Sequence, residues 1–226
     1  EANGRGLDPQ TVKATVKVDV SELYLKNYTY HGLKLDGSAD GREFAARLSL
    51  KDKNAVFDLD GKVNWNPGKE QYKFRLNVAG ADRDLRVGLT ASADFKGRLP
   101  DGLTGRAEVS DVLIAHQGQN YRLNSAVLTS VSEPGKSELN LSSTLVDAKY
   151  AGTVFPLSLP AELTGFLNAY FQFSDSVPVS PNDRPSAFNF EVQLHNHPVL
   201  SEVLVPELTE FEPGMIRGSF DSRTNS

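Results

Sequence analysis

Two short stretches of the chain hold side chains that could do chemistry. His195-Asn196-His197 places two imidazoles one residue apart, and imidazole is a common ligand for zinc and other transition metals. Asp58-Leu59-Asp60-Gly61 places two carboxylates on the same side of a predicted strand, as a calcium site or a carboxylate pair requires. No further metal ligands are visible near the histidines, and Asp36, Lys62 and Asp94 occupy polar-face positions equivalent to those of the two aspartates. We therefore predict that the histidines end a strand and that the aspartates are solvent-facing charge.

Other catalytic signatures are missing from the sequence. It contains no glycine-rich phosphate loop and no serine elbow accompanied by histidine and a carboxylate. It also contains no cysteine, which excludes disulfides and thiolate metal sites together. We expect a protein that is not an enzyme and that needs neither a metal nor another cofactor.

The composition narrows the classes of partner. The 226 residues include 24 Lys and Arg against 29 Asp and Glu, a net charge of -5 with no basic cluster for a run of phosphates, so we expect no nucleic-acid partner. No apolar run approaches the roughly 18 residues of a membrane-spanning helix. The chain opens on Glu1 without a methionine, and we therefore expect a cut or processed piece of a longer protein.

Apolar residues recur at every second position along most of the chain. Phe44 to Lys51 and Phe57 to Trp65 both alternate in this way, with polar residues between the apolar ones. The turns that separate such stretches, for example Asp40-Gly41, are too short for anything but antiparallel hairpins. The pattern predicts an all-β protein, mainly an antiparallel meander, with one apolar face and one polar face.

That apolar face is the candidate functional surface. A single layer of strands must cover its apolar face, either by curling into a trough or by packing against a second sheet or a helix. The large apolar side chains predicted to line the interior are Phe44, Leu48, Leu50, Phe57, Leu59, Trp65, Phe74, Leu76, Leu89 and Phe95.

The alternation is irregular at three places. It changes parity across His31-Gly32, where we predict a β-bulge, and again near Asp111. It is lost between Gly80 and Arg86, which we predict to be a loop or a single helical turn.

One helix is predicted, over about residues 160 to 172. Pro160 suits its first turn, and Glu162 lies beside the positive end of the helix dipole. Its apolar stripe, expected to cover part of the sheet, consists of Leu163, Phe166, Leu167, Tyr170 and Phe171. We predict a main meander over 1–174 that includes this helix, a proline-rich linker over 175–186 and a further β segment over 187–226.

The amino-acid sequence of the strands resembles the middle of a TamB-like translocation and assembly protein, of the AsmA-like group in diderm bacteria. The resemblance spans about residues 20 to 220. It is carried by Asn27-Tyr28-Thr29-Tyr30-His31-Gly32-Leu33-Lys34-Leu35-Asp36-Gly37, Phe57-Asp58-Leu59-Asp60-Gly61, Phe95-Lys96-Gly97, Leu103-Thr104-Gly105-Arg106-Ala107-Glu108-Val109 and Leu159-Pro160-Ala161.

This resemblance implies an internal, periplasmic segment of a protein anchored in the inner membrane by a helix outside the chain. It implies a long β-sheet curled into an apolar trough, no catalytic residues and a role in moving phospholipid to the outer membrane or in assembling proteins there. The expected partners are a phospholipid or another acyl-chain ligand, and an outer-membrane β-barrel assembly protein reached through a C-terminal region beyond this chain. The alternative is a closed β-sandwich that acts as a binding or adhesion module.

Overall fold

A computed structural model describes residues 1–6, 8, 10–25, 28–82, 85–98, 102–158, 186–205 and 212–222. These residues form fourteen strands in one sheet, together with two short helical turns. The strands are β1 Ala2–Arg5, β2 Lys13–Leu25, β3 Tyr28–Asp40, β4 Glu43–Lys51, β5 Ala55–Asn64, β6 Gln71–Asp82, β7 Leu85–Lys96, β8 Thr104–His116, β9 Gln119–Leu123, β10 Ala126–Glu133, β11 Lys136–Ser142, β12 Val146–Gly152, β13 Ala187–Leu194 and β14 Met215–Asp221. A 3₁₀ turn spans Pro156–Ser158, and a π-helical turn spans Leu200–Leu204.

The strands follow one another in the sheet in chain order, and every pair is antiparallel. The one branch is at β8, which pairs with β9 along its second half and with β10 along its first half. β1 and β14 are not paired with each other, so the sheet is curled and unclosed. The prediction of an all-β, mainly antiparallel meander is confirmed.

Short turns keep sequential strands adjacent. Gln117 and Gly118 connect β8 to β9 with φ angles of 49° and 82°, as a two-residue type I′ hairpin requires. Asn66 accepts a backbone hydrogen bond from the N–H of Lys69 at 2.8 Å, which closes the turn between β5 and β6. Because such loops leave no room for a crossover, the strands on either side of each of these two turns pair as antiparallel neighbours.

The described part of the sheet has few fully buried apolar side chains. Among the described apolar residues, the buried ones are Leu50, Ile114 and Tyr150 in the strands and Phe155 and Val199 outside them, while most apolar residues of the strands are half-exposed. Two sheets packed face to face would bury the inner residues of both. The described strands therefore form a single curled layer, and most side chains on its apolar face are partly exposed.

The three predicted irregularities have different outcomes. Asp111 has a φ of 54°, and the β7–β8 register shifts between Gly88 and Thr90, which confirms the change of parity there. Gly32 has a φ of 73°, but the register of β2 and β3 is the same on both sides of it, so the predicted bulge is not found in that ladder. The prediction of a loop or a single helical turn from Gly80 to Arg86 is wrong for the described residues, because β6 runs to Asp82 and β7 begins at Leu85.

The predicted helix, the residues of its apolar stripe and nearly all of the proline-rich linker lie outside the described residues. After this gap β13 pairs directly with β12, Tyr150 lying opposite Phe190, so the last segment continues the same sheet. None of the helices in the described ranges has the length and hydropathy needed to cross a membrane.

Candidate functional site

Cross-strand pairing joins apolar residues into an unbroken row from β2 to β14. Each member lies opposite the next member on the neighbouring strand, so their side chains share one face of the sheet. We call this the central row. It consists of Val16, Gly37, Ala46, Gly61, Phe74, Ala93, Ala107, Leu128, Leu141, Ala148, Val192 and Ile216.

Two further rows flank the central row, one over β2 to β8 and the other over β3 to β7, and most of their side chains are large. The leucine row lies on one side and consists of Val18, Leu35, Leu48, Leu59, Leu76, Ala91 and Val109. The aromatic row lies on the other side and consists of Ala39, Phe44, Val63, Tyr72 and Phe95. Between these rows the members of the central row on β3, β4, β5, β7 and β8 are Gly or Ala, which makes a groove that runs across the strands.

A depression of about 430 Å³ lies in this groove, lined by residues of β2 to β6. Gly37, Ala46 and Gly61 form its floor, since they are consecutive members of the central row. A Cβ atom at Gly61 would lie 3.0 Å from the ring of Phe74, so the glycine leaves room for that ring. The depression is lined almost entirely by apolar side chains, and its size is that of a site for a small apolar ligand.

The structure brings nine of the ten predicted interior residues onto this apolar face. Phe44, Leu48, Leu59 and Phe74 line the depression. The other five lie in the rows around it, namely Leu50, Phe57, Leu76, Leu89 and Phe95. Trp65 follows the end of β5, is 49% exposed and packs on Phe44 with ring centroids 4.9 Å apart. It lies at the margin of the groove.

The floor residues are the part of the site that sequence analysis missed. A search for large apolar side chains passes over Gly37, Ala46 and Gly61, although all three have the parity of their apolar neighbours. These three small residues lie directly opposite one another on consecutive strands. This feature identifies them as a floor, and it can be recognised only once the register of the strands is known.

The opposite face, called here the polar face, carries charges of alternating sign. Lys17, Asp36, Arg47, Asp60 and Arg75 form one cross-strand row on β2 to β6. Arg47 also pairs with Asp58 at 2.7 Å, and the hydrogen bond to that carboxylate raises the pKa of the guanidinium. Asp58 and Asp60 thus face solvent and basic side chains. Opposite charges on neighbouring strands favour this register.

The histidine stretch lies at the end of β13. His195 Nε2 is 3.0 Å from Asp147 Oδ2, and His197 Nδ1 accepts a hydrogen bond from the backbone N–H of Val199 at 3.2 Å. Hydrogen bonds from Ser142 and then His195 lower the pKa of Asp147. In the described ranges no group of three or more His, Asp or Glu side chains is arranged to hold a metal ion.

Two segments fold over the margins of the apolar face near β8 to β13. At one margin Phe155 is buried after β12, and the hydroxyl of Tyr150 donates a hydrogen bond to the carbonyl of Val154 at 2.7 Å. At the other margin Val199 is fully buried and Glu202 accepts a hydrogen bond from the hydroxyl of Tyr121. In the described part of the chain, the groove is therefore covered at its margins in this half, whereas most side chains that line it over β2 to β7 are partly exposed.

Comparison of the chain with protein-family models, with curated proteins and with solved structures finds no match. The apolar groove, its small-residue floor and the charged polar face are thus the observations from which a function can be inferred.

Proposed function

We propose that this chain is a non-enzymatic segment of an envelope-spanning protein, and that its apolar groove binds the acyl chains of phospholipids on their way between the two membranes. The observation behind this proposal is the central row, which stays apolar over twelve strands. An acyl chain in the groove would meet no polar side chain of that row. A ligand of this kind gains free energy in proportion to the apolar area it removes from water.

The dimensions of the sheet support movement over a distance and not only storage. Thirteen strands lie side by side, and at a spacing of about 4.8 Å they extend over roughly 58 Å. Because the groove runs across the strands, a bound chain could slide along the sheet without leaving apolar surroundings. The resemblance to TamB-like proteins agrees with this use and adds a periplasmic location and a route toward the outer membrane to the proposal.

Assembly of outer-membrane proteins is the other activity that the resemblance implies. A β-barrel assembly protein would then be a partner, reached through a region beyond this chain. The apolar groove favours the lipid over the protein cargo, since an extended polypeptide would bring unpaired backbone N–H and C=O groups against it. Lipid transport is therefore the function proposed for the segment itself.

The test compares two neighbouring residues of β4 that face opposite sides. Leu48→Glu places a carboxylate in the groove, whereas Ser49→Glu places it on the polar face opposite Lys34. The chain and both variants are incubated with phospholipid vesicles, separated from them and examined by native mass spectrometry. The proposal predicts bound phospholipid on the parent and on Ser49→Glu, and about tenfold less on Leu48→Glu, because a buried unpaired charge costs several kcal/mol.

Circular dichroism of both variants checks that the sheet is intact. A parent chain that retains no phospholipid, or a folded Leu48→Glu variant that retains as much as Ser49→Glu, would contradict the proposal. The first result would favour the alternative of a binding or adhesion module whose apolar residues are structural.

A further inference from the structure

The polar face contains one apolar depression, of about 560 Å³, within the described part of β5 to β8. Its floor is formed by Val56, Ala79 and Leu113, which register and parity assign to the face opposite the groove. Val56 is 45% exposed and Leu113 is 40% exposed, whereas the neighbouring row on this face is polar: Asp58, Asn77, Thr90 and Ser110.

Basic side chains surround this depression. Lys53 and Arg86 line it directly. Val56, Ala79, Gly88 and Leu113 are consecutive in one cross-strand row, which begins at Lys51 on β4 and ends at Arg122 on β9. We call it the basic row.

The four cations around the depression are Lys51, Lys53, Arg86 and Arg122. All four are exposed, and none forms an ion pair with a described residue. The carboxylate of Asp52, which is next to Lys51 and Lys53 in the sequence, is buried and accepts hydrogen bonds from Tyr28, His31 and Asn54. The row Lys17, Asp36, Arg47, Asp60 and Arg75 on this face alternates cations with carboxylates, whereas the row through the apolar floor has a cation at each end and no carboxylate.

We propose that the basic row is a docking site for an extended acidic segment of a partner protein, with apolar side chains in its middle and carboxylates at both ends. Five strand spacings of about 4.8 Å separate Lys51 from Arg122, roughly 24 Å, which an extended chain covers in about seven residues. The apolar residues of the segment contact Val56 and Leu113, and its terminal carboxylates meet the cations. The site lies on the face opposite the groove and does not depend on lipid binding.

A protein segment fits this site better than a membrane surface does. The apolar side chains form the floor of a concavity, where a single side chain can enter but a flat bilayer cannot follow. Charge complementarity supplies the specificity, since carboxylates at both ends of the segment match cations at both ends of the row.

The test uses a fluorescein-labelled synthetic peptide, Glu-Glu-Leu-Ser-Leu-Ser-Leu-Glu-Glu, and the same peptide with lysine in place of glutamate. Fluorescence anisotropy with the whole chain is expected to show binding of the acidic peptide only. The double variant Lys53→Glu with Arg86→Glu should bind it at least about tenfold more weakly. The matched control, Lys62→Glu with Lys149→Glu, removes two cations elsewhere on the polar face and should change the affinity less than about twofold.

A second variant tests the floor without changing charge. Leu113→Ser should weaken the acidic peptide about fivefold, because it removes apolar contact area. Equal losses in the two charge-reversal variants would overturn the proposal in favour of general electrostatic attraction. Absence of binding of the acidic peptide would overturn the proposal as well. The chain would then be sedimented with phosphatidylglycerol vesicles. Sedimentation of the parent that is lost in Lys53→Glu with Arg86→Glu would identify the basic row as a membrane contact.

Discussion

The hydroxyl of Tyr28 donates a hydrogen bond of 2.8 Å to the carboxylate of Asp52, which joins the start of β3 to the turn between β4 and β5. The same carboxylate accepts the backbone N–H groups of Asn54 at 2.9 Å and His31 at 3.1 Å. Asp52 is only 7% exposed, so these three donors take the place of water. One side chain thus holds the start of β3 against the turn between β4 and β5.

This arrangement predicts a pH dependence of stability. The hydrogen bond from Asn54, followed by those from Tyr28 and His31, lowers the pKa of Asp52 below its usual value. A carboxyl group whose pKa is lower in the folded state stabilises the fold above its unfolded pKa, about 3.9, and loses that contribution as the pH falls through the folded pKa. Asp52→Asn should therefore melt at a lower temperature than the parent at pH 7, and the difference should shrink at pH values below about 4.

The exposed substitution Asp60→Asn on the polar face is the control, and its effect on the melting temperature should be small. A difference between parent and Asp52→Asn that is the same at pH 7 and at pH 3 would show that the ionised carboxylate is not what stabilises this turn.

A second prediction concerns the contact of β7 with β8 at Gly105. A Cβ atom there would lie 2.1 Å from the carbonyl oxygen of Asp94 and 2.7 Å from the Cα of Phe95, so the two strands would have to separate. Gly105→Ala should lower the free energy of unfolding by about 1–3 kcal/mol. Gly88→Ala, on the same pair of strands, meets nothing nearer than 3.9 Å and should change it by less than about 0.5 kcal/mol. Urea denaturation measures the free energy of unfolding of both variants. Equal losses in Gly105→Ala and Gly88→Ala would show that β7 and β8 do not approach each other closely at Gly105.

A third prediction concerns Tyr150, whose burial raises its pKa to about 12. An ordinary tyrosine ionises near pH 10. Because the folded pKa is the higher one, the neutral phenol stabilises the fold below about pH 10 and this contribution is lost as the pH rises toward 12. An alkaline titration followed by ultraviolet absorbance should show a late-ionising tyrosine that is absent from Tyr150→Phe. If the two curves have the same late step, another tyrosine is responsible.

A fourth prediction concerns the covered margin of the groove. Phe155 is 7% exposed, whereas Leu157 in the adjoining 3₁₀ turn is 66% exposed. Phe155→Ala should lower the free energy of unfolding by about 3 kcal/mol and increase binding of a fluorescent apolar dye, since it uncovers the sheet. Leu157→Ala, the control, should change it by less than about 0.5 kcal/mol. Similar results for the two variants would show that the segment after β12 does not cover the apolar face.

Much of the fold follows from local pattern. Alternation in stretches such as Phe44 to Lys51 predicts the strands and the face of each side chain, and two-residue turns predict that neighbours in sequence pair. The parity change at Asp111 could also be predicted, because one extra residue moves all later side chains to the other face. Alternation gives no signal in Ala79-Gly80-Ala81, where small residues occupy both faces, and there the strand was missed.

The remaining features depend on contacts between distant residues. The groove floor exists because Gly37, Ala46 and Gly61 are in register, and the basic row exists because Lys51 and Arg122 end the same cross-strand row. The hydrogen bond between Tyr121 and Glu202 joins residues 81 positions apart. No local period encodes such contacts, so sequence reasoning could find the residues but not their arrangement.

The central claim is that acyl chains occupy one face of the sheet along its length. The most direct measurement is photo-crosslinking to phospholipid from a photoreactive amino acid placed at neighbouring positions of opposite parity. Ala93, Leu128 and Leu141 belong to the central row, whereas Ser92, Val127 and Ser142 adjoin them on the polar face. We predict lipid adducts at the first three positions and none at the other three. Adducts at both sets to the same extent, or at neither, would contradict the account.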